Sequence, residues 1–160
     1  MGNAMLKLDI PGFGALRIDH LVLDFNGTLA VDGGLIPGVA RRIRLLSRTL
    51  ALHVLTADTF GTARATLANL PCTVSILPAE RQDRAKAAYV KRLGAARTAC
   101  VGNGRNDCLM LKAAALGVAV LQQEGASREA VAAADLVMPG IVDALDALHH
   151  PLRLIASLRS

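Results

Sequence analysis

Apolar residues recur along this chain with two periods, and the changes of period mark out its elements. From residue 5 to 19 they alternate. Leu6, Leu8 and Ile10 stand against Lys7 and Asp9, then Leu16 and Ile18 against Arg17 and Asp19, with Pro11-Gly12-Phe13-Gly14 between them. Period-two runs around a Gly/Pro turn predict a β-hairpin. A short unbroken apolar run, Leu21-Val22-Leu23, follows and ends in Asp24. It is too short for a helix and predicts a fully buried strand. The chain turns through Phe25-Asn26-Gly27-Thr28 and again through Val31-Asp32-Gly33-Gly34. Helical spacing then takes over at Val39, Ile43, Leu46 and Leu50, with Pro37 suited to a first helical position.

The same contrast organises the rest. Residues 52–55 predict a second buried strand ending at Thr56-Ala57-Asp58, and Asp58 or Thr59 is expected to cap a helix running to about Leu70. Residues 72–77 predict a third strand, and residues 83–93 a helix stopped by Gly94. Residues 98–101 predict a fourth strand that runs into Gly102-Asn103-Gly104-Arg105-Asn106-Asp107. A helix to Leu116, a strand at 118–121, a helix near 127–134, a strand at 136–138, a helix from Ile141 and a last helix after Pro151 complete the reading. Strands alternating with helices predict an α/β fold with a mostly parallel, doubly wound sheet flanked by helices. With no linker, repeat or low-complexity stretch, the expected organisation is one domain over 1–160, a hairpin at 1–19 added to a core at 20–160.

Composition sharpens this picture in two respects. The 160 residues are 52% apolar but hold one Tyr, three Phe and no Trp, so the core must be aliphatic. No uncharged apolar run approaches the roughly 18 residues of a membrane span, and no leader pattern is visible, so a cytoplasmic protein without membrane contact is expected. Three cysteines without metal-ligand spacing fit reduced thiols. The net charge of +5 raises nucleic acid as a partner. Scattered arginines and few aromatics for base stacking argue against it, and a basic surface that attracts anionic substrates is the simpler reading.

Four polar clusters remain, three of them at strand ends: Asp24-Phe25-Asn26-Gly27-Thr28, Thr56-Ala57-Asp58 and the 102–107 segment, with Lys86 opening the helix before the fourth strand. Parallel connections bring strand carboxyl ends to one side of a sheet, so these groups are expected to converge. Their chemistry is complementary. A carboxylate can attack phosphorus, hydroxyl and backbone N–H groups can hold phosphate oxygens, and a lysine can neutralise them. Carboxylate and amide oxygens can hold Mg²⁺.

In order and spacing the clusters resemble the four motifs of the haloacid dehalogenase-like superfamily: Asp24-Phe-Asn26-Gly-Thr28, Thr56, Lys86 with Val90 and Leu93, and Gly102-Asn-Gly-Arg-Asn-Asp107. The Lys86 and 102–107 segments most resemble the phosphorylation domain of P-type ATPases, and the whole chain resembles the small soluble proteins described as P-type-ATPase-like. The resemblance implies a Rossmann-like sheet. It implies Asp24 as nucleophile and Mg²⁺ ligand, the Asn26 carbonyl as a second ligand, and Asn103 and Asp107 as further metal-side residues. Gly27, Thr56, Ala57 and Lys86 would hold the phosphoryl group.

Two departures separate the chain from phosphatases of this superfamily. Asn26 stands where they carry an acid/base Asp, and Asn103 where a metal-binding Asp is usual. An amide cannot transfer a proton, and it brings one less negative charge to a metal. Asp24 to Thr56 and Thr56 to Lys86 are each about thirty residues apart, which leaves no room for the inserted cap domains of most relatives. The expectation is therefore a capless, Mg²⁺-dependent phosphohydrolase or phosphotransferase, slow because of Asn26, acting on a phosphorylated small molecule or phosphoryl donor and closing its site as a homo-oligomer. The alternative is an impaired scaffold that binds phosphate or a partner protein.

Overall fold

The computed structural model describes residues 5–58 and 61–160, so Thr59, one of the two expected helix caps, lies outside the described residues. The hairpin forms as its alternation dictates: β1 (Leu6–Ile10) pairs antiparallel with β2 (Gly14–Ile18), Leu6 opposite Ile18 and Ile10 opposite Gly14. Leu6, Ile10, Leu16 and Ile18 are buried while Lys7, Asp9 and Arg17 are exposed. The buried strand β3 (His20–Asp24) follows, and then a two-residue hairpin, β4 (Ala30–Val31) and β5 (Gly34–Leu35), where the sequence predicts only a turn.

The first helix, α1 (Val39–Leu46), begins two residues after Pro37, because Gly38 at φ +90° bends the chain before the helix starts. It is followed by β6 (Ala51–Thr56), α2 (Thr62–Leu67), β7 (Thr73–Ile76), α3 (Gln82–Leu93), β8 (Thr98–Gly102), α4 (Cys108–Ala113), β9 (Leu116–Val120), α5 (Arg128–Ala133), β10 (Leu136–Met138), α6 (Ile141–His149) and α7 (Leu152–Leu158). Two boundaries differ from expectation. The helix α2 ends at Leu67, short of Leu70, and Leu116 opens β9 instead of closing α4.

Six strands make one sheet in the order β10-β9-β8-β3-β6-β7, every pair parallel. Counted along the sheet-forming strands alone, that is the order 3-2-1-4-5-6 of a doubly wound fold, whose ligands bind where the winding reverses. The reversal lies between β3 and β8, the strands that end in Asp24 and Gly102. Alternate residues of each strand enter different cores, as the period of two requires. Leu21, Leu23, Val54 and Val101 pack with α1, α6 and the hairpin, whereas Val22, Leu55 and Cys100 pack with α3, α4 and α5. Among the described residues, only β4, β5 and α1 lie between β3 and β6, and only α2 and β7 between β6 and α3, so no cap is evident. No helix among them is long and apolar enough to cross a membrane.

Candidate active site

Asp24 closes β3, buried with the residue 7% exposed, and lines a cavity of about 280 Å³. The turn behind it is tight. Leu29 and Ala30 both donate to the Phe25 carbonyl, and the Gly27 N–H donates to Ala30 O at 2.7 Å. Gly27 holds φ +79°, which a residue with a Cβ rarely adopts. Its N–H, already taken up inside the turn, leaves Gly27 to serve the site by lacking a side chain. A Cβ there would stand 2.3 Å from Glu124 Oε2 and 3.0 Å from Asn103 Oδ1.

Each Asp24 oxygen is held. Lys86 Nζ donates to Oδ1 at 2.8 Å, and the buried Thr28 hydroxyl donates to Oδ2 at 3.0 Å, with Asn103 Oδ1 3.3 Å from the same hydroxyl. Lys86 is the fifth residue of α3, fully buried, and its ammonium also donates to Asp107 Oδ1 at 2.8 Å. The other Asp107 oxygen accepts from the N–H groups of Asn103 at 3.1 Å and Gly104 at 2.9 Å. Two carboxylates and one ammonium are thus sealed together, with one negative charge in excess. Burial, and then the Asp107 carboxylate, push the Asp24 pKa up to about 7 against the pull of Lys86 and Thr28. Burial alone pulls the Lys86 ammonium down, but the two carboxylates outweigh it and its pKa is raised.

Of the residues singled out in the sequence, Asp24, Asn26, Thr56, Ala57 and Asn103 line the cavity. Lys86 and Asp107 do not. Both lie behind Asp24, where the sequence reading has them facing the ligand, because the carboxylate–ammonium–carboxylate arrangement satisfies them within the fold. Asn106 donates to Gln82 Oε1 at 3.1 Å, which ties the 102–107 segment to the start of α3. Thr56 is buried, and its hydroxyl oxygen accepts from the Asp58 N–H at 3.1 Å, which leaves its own proton free for an acceptor. Asp58 is a structural residue as well: Oδ1 accepts from the Ala63 N–H at 2.8 Å in the first turn of α2.

Three residues of the site escaped the sequence reading. Gln82 and Glu124 are in the cavity wall. Gln122 donates to the carbonyls of Gly27 at 2.7 Å and Thr28 at 2.8 Å and accepts from Ile141 N at 3.0 Å, tying the Asp24 loop to the loop after β9 and the start of α6. The signal was available, since residues 121–125 also follow a buried strand end, but they spell no motif.

His20, His53 and Tyr89 lie on the same sheet face, away from the cavity. His20 Nδ1 and His53 Nε2 are 3.1 Å apart, and His53 Nδ1 is 2.8 Å from the Tyr89 hydroxyl. Burial and then His20 hold His53 down at about 4, so it packs as a neutral side chain.

The donor set suits a divalent cation. The buried cluster has excess negative charge, and the Glu124 carboxylate and the Asn103 side-chain amide, its nitrogen nearer than its oxygen, converge on space that a Cβ at Gly27 would fill. Asn103 donates through Nδ2 to Gly125 O at 3.0 Å, and its Oδ1 lies 3.3 Å from the Thr28 hydroxyl that also holds Asp24. Asp24, Asn26 and Glu124 complete the oxygens within reach, a hard-ligand set of the kind Mg²⁺ takes.

No family model matches the chain. An uncharacterized protein of Methanocaldococcus jannaschii is 46% identical over 59 residues, a stretch covering 37% of this chain and 63% of that protein. Among solved structures, a putative HAD family hydrolase of Streptomyces avermitilis is 25% identical with a TM-score of 0.65, covering 89% of this chain and 84% of its own. The 3-deoxy-D-manno-octulosonate 8-phosphate phosphatase of Moraxella catarrhalis, solved with magnesium, phosphate and the sugar acid, has a TM-score of 0.68 at 14% identity, over 89% of this chain and 94% of its own. The parallel sheet, the carboxylate at its switch point and the lack of a cap among the described residues, shared with these structures over 89% of the chain, give it the Rossmann-like fold of the haloacid dehalogenase-like hydrolases.

Proposed function

We propose that the chain is a metal-dependent phosphohydrolase or phosphotransferase that works through an aspartyl-phosphate on Asp24, on a phosphorylated small molecule or phosphoryl donor. The observation that carries this reading is the sealed Asp24–Lys86–Asp107 cluster opening into a cavity walled by Thr56, Ala57 and Asn103. Lys86 and Thr28 hold the Asp24 carboxylate in one orientation, so its attack on phosphorus needs no rotamer search. As the Asp24 O–P bond forms, the bond from phosphorus to the leaving oxygen breaks, and the Thr56 hydroxyl proton is free to meet a phosphoryl oxygen. Asn103, the Asn26 carbonyl, Asp24 and Glu124 are the residues that would hold Mg²⁺, with Asp107 one layer behind. The ion, when bound, supplies neutralisation of phosphoryl charge. The leaving oxygen needs a proton, and the water that later cleaves the aspartyl-phosphate must lose one. Asn26, exposed in the cavity wall, can do neither, so both steps are slow and the phosphoenzyme persists. A long-lived phosphoenzyme also agrees with the likeness of the Lys86 and 102–107 segments to P-type ATPases. The uncapped mouth would be closed by a second copy of the chain.

Asn26 also favours a second reading, a module that binds phosphate or a partner without turnover. Incubation with Mg²⁺ and acetyl phosphate, followed by acid quench and peptide mapping, separates the two. We expect acid-stable phosphate on Asp24 and none on Asp24→Asn. An absence of label, together with no Mg²⁺-dependent beryllofluoride binding, refutes the enzyme reading.

A further inference from the structure

A second cleft of about 370 Å³ adjoins the cavity, and the two share Gln82 and Asn106, whose 3.1 Å hydrogen bond forms the ridge between them. Arg81 and Arg105 line the outer cleft, one from the residue before α3 and one from the turn after β8. Segments 24 residues apart thus bring two guanidinium groups to one recess beside the phosphoryl site. Neither forms an ion pair among the described residues. The single carboxylate in that wall, Asp83, accepts from the Arg84 N–H at 2.8 Å, so positive charge is in excess. Arg81 holds φ +53°, a strained backbone for a residue with a Cβ, and such strain gathers at functional positions.

We propose that this cleft is a specificity subsite for a second anionic group of the substrate, a carboxylate or a second phosphate, bound by Arg81 and Arg105 while the phosphoryl group lies over Asp24. The inference rests on the phosphoryl-site reading above and adds the substrate class: small molecules with two anionic ends, not simple monoesters. Guanidinium groups recognise carboxylate and phosphate through paired, charge-assisted hydrogen bonds, whose strength predicts at least a tenfold preference. The combined space suits a sugar-phosphate-sized ligand rather than a macromolecule.

Calorimetric titration of the full-length native protein with Mg²⁺ tests it, using matched pairs that differ in the second anion. The short pair is glycerol 3-phosphate and 3-phosphoglycerate, and the long pair is fructose 6-phosphate and fructose 1,6-bisphosphate. We expect the dianionic-ended member of at least one pair to bind tenfold or more tightly. Arg81→Gln/Arg105→Gln should abolish that preference and leave the affinity for the partner ligand within twofold. Arg105→Lys, which keeps the charge, should retain part of the preference, and it serves if the double variant fails to fold. Equal affinity within both pairs, or a preference that survives the loss of both arginines, overturns the subsite. Inorganic phosphate separates the two readings. Binding of phosphate without any preference refutes the subsite alone, and binding of none of the ligands refutes the phosphoryl site with it.

Discussion

Replacing Lys86 with Met is the most direct probe of the cluster, because it keeps most of the buried volume and removes only the cation. The ammonium is fully buried and 2.8 Å from one oxygen each of Asp24 and Asp107. Without it, two carboxylates face one another out of water. Removing one partner of a buried ion pair costs about 3–5 kcal/mol, since the charge left behind is uncompensated. For a chain of 160 residues, each kcal/mol lowers the midpoint by roughly 2–4 °C, so a fall of roughly 10 °C follows. The loss should depend on pH in a defined direction. Burial and Asp107 already raise Asp24 to about 7, and losing Lys86 removes the main opposing influence. The native protein and the variant both lose stability as pH rises from about 4 to about 7, because each holds a proton that the unfolded chain releases, but the variant, with Asp24 raised further, goes on losing above about 7 where the native protein no longer does. The defect is smallest near pH 5 and largest at pH 8. Urea unfolding in EDTA, followed by circular dichroism at both pH values, measures it, and Lys86→Met/Asp24→Asn should recover at least half of the pH 8 loss. A loss under about 1 kcal/mol, or an equal loss at both pH values, refutes the electrostatic account of the site.

On the proposed phosphohydrolase reading, Asn26→Asp supplies a proton donor and acceptor, and p-nitrophenyl phosphate turnover should rise by about 10²-fold or more. Unchanged turnover would mean that proton transfer is not what limits the protein. Glu124→Gln removes the carboxylate that converges with Asn103 above Gly27. Mg²⁺ affinity by calorimetry should fall by roughly threefold to tenfold with little change in melting temperature, as expected for an exposed ligand of a hard cation. An unchanged affinity removes Glu124 from the metal side.

Much of the fold was legible because burial and period coincide. Leu21-Val22-Leu23 could be read as a strand covered on both faces, and both faces are covered. The end of α4 was not legible. Ala113-Ala114-Ala115 is a run of good helix formers, yet the helix stops at Ala113 because the Ala115 N–H donates to the carbonyls of Ala95 and Thr98, both at 3.0 Å. Those acceptors come from another part of the chain, and no local propensity reports them. Gln82, Gln122 and Glu124 stayed hidden for the same reason. Each is an ordinary polar residue until the sheet brings its loop beside Asp24.

The sequence by itself determined the alternation of strands and helices and the order in which Asp24, Thr56, Lys86 and Asp107 follow the strand ends. It also placed an amide, Asn26, two residues after Asp24. These are matters of residue type and spacing. Only the tertiary structure decided that Lys86 and Asp107 are buried against Asp24 and off the cavity wall, that Asp24 is driven up to about 7, and that Arg81 and Arg105 share a cleft. Charge energetics depend on separation and on access to water, and both are set by packing between segments distant in the chain.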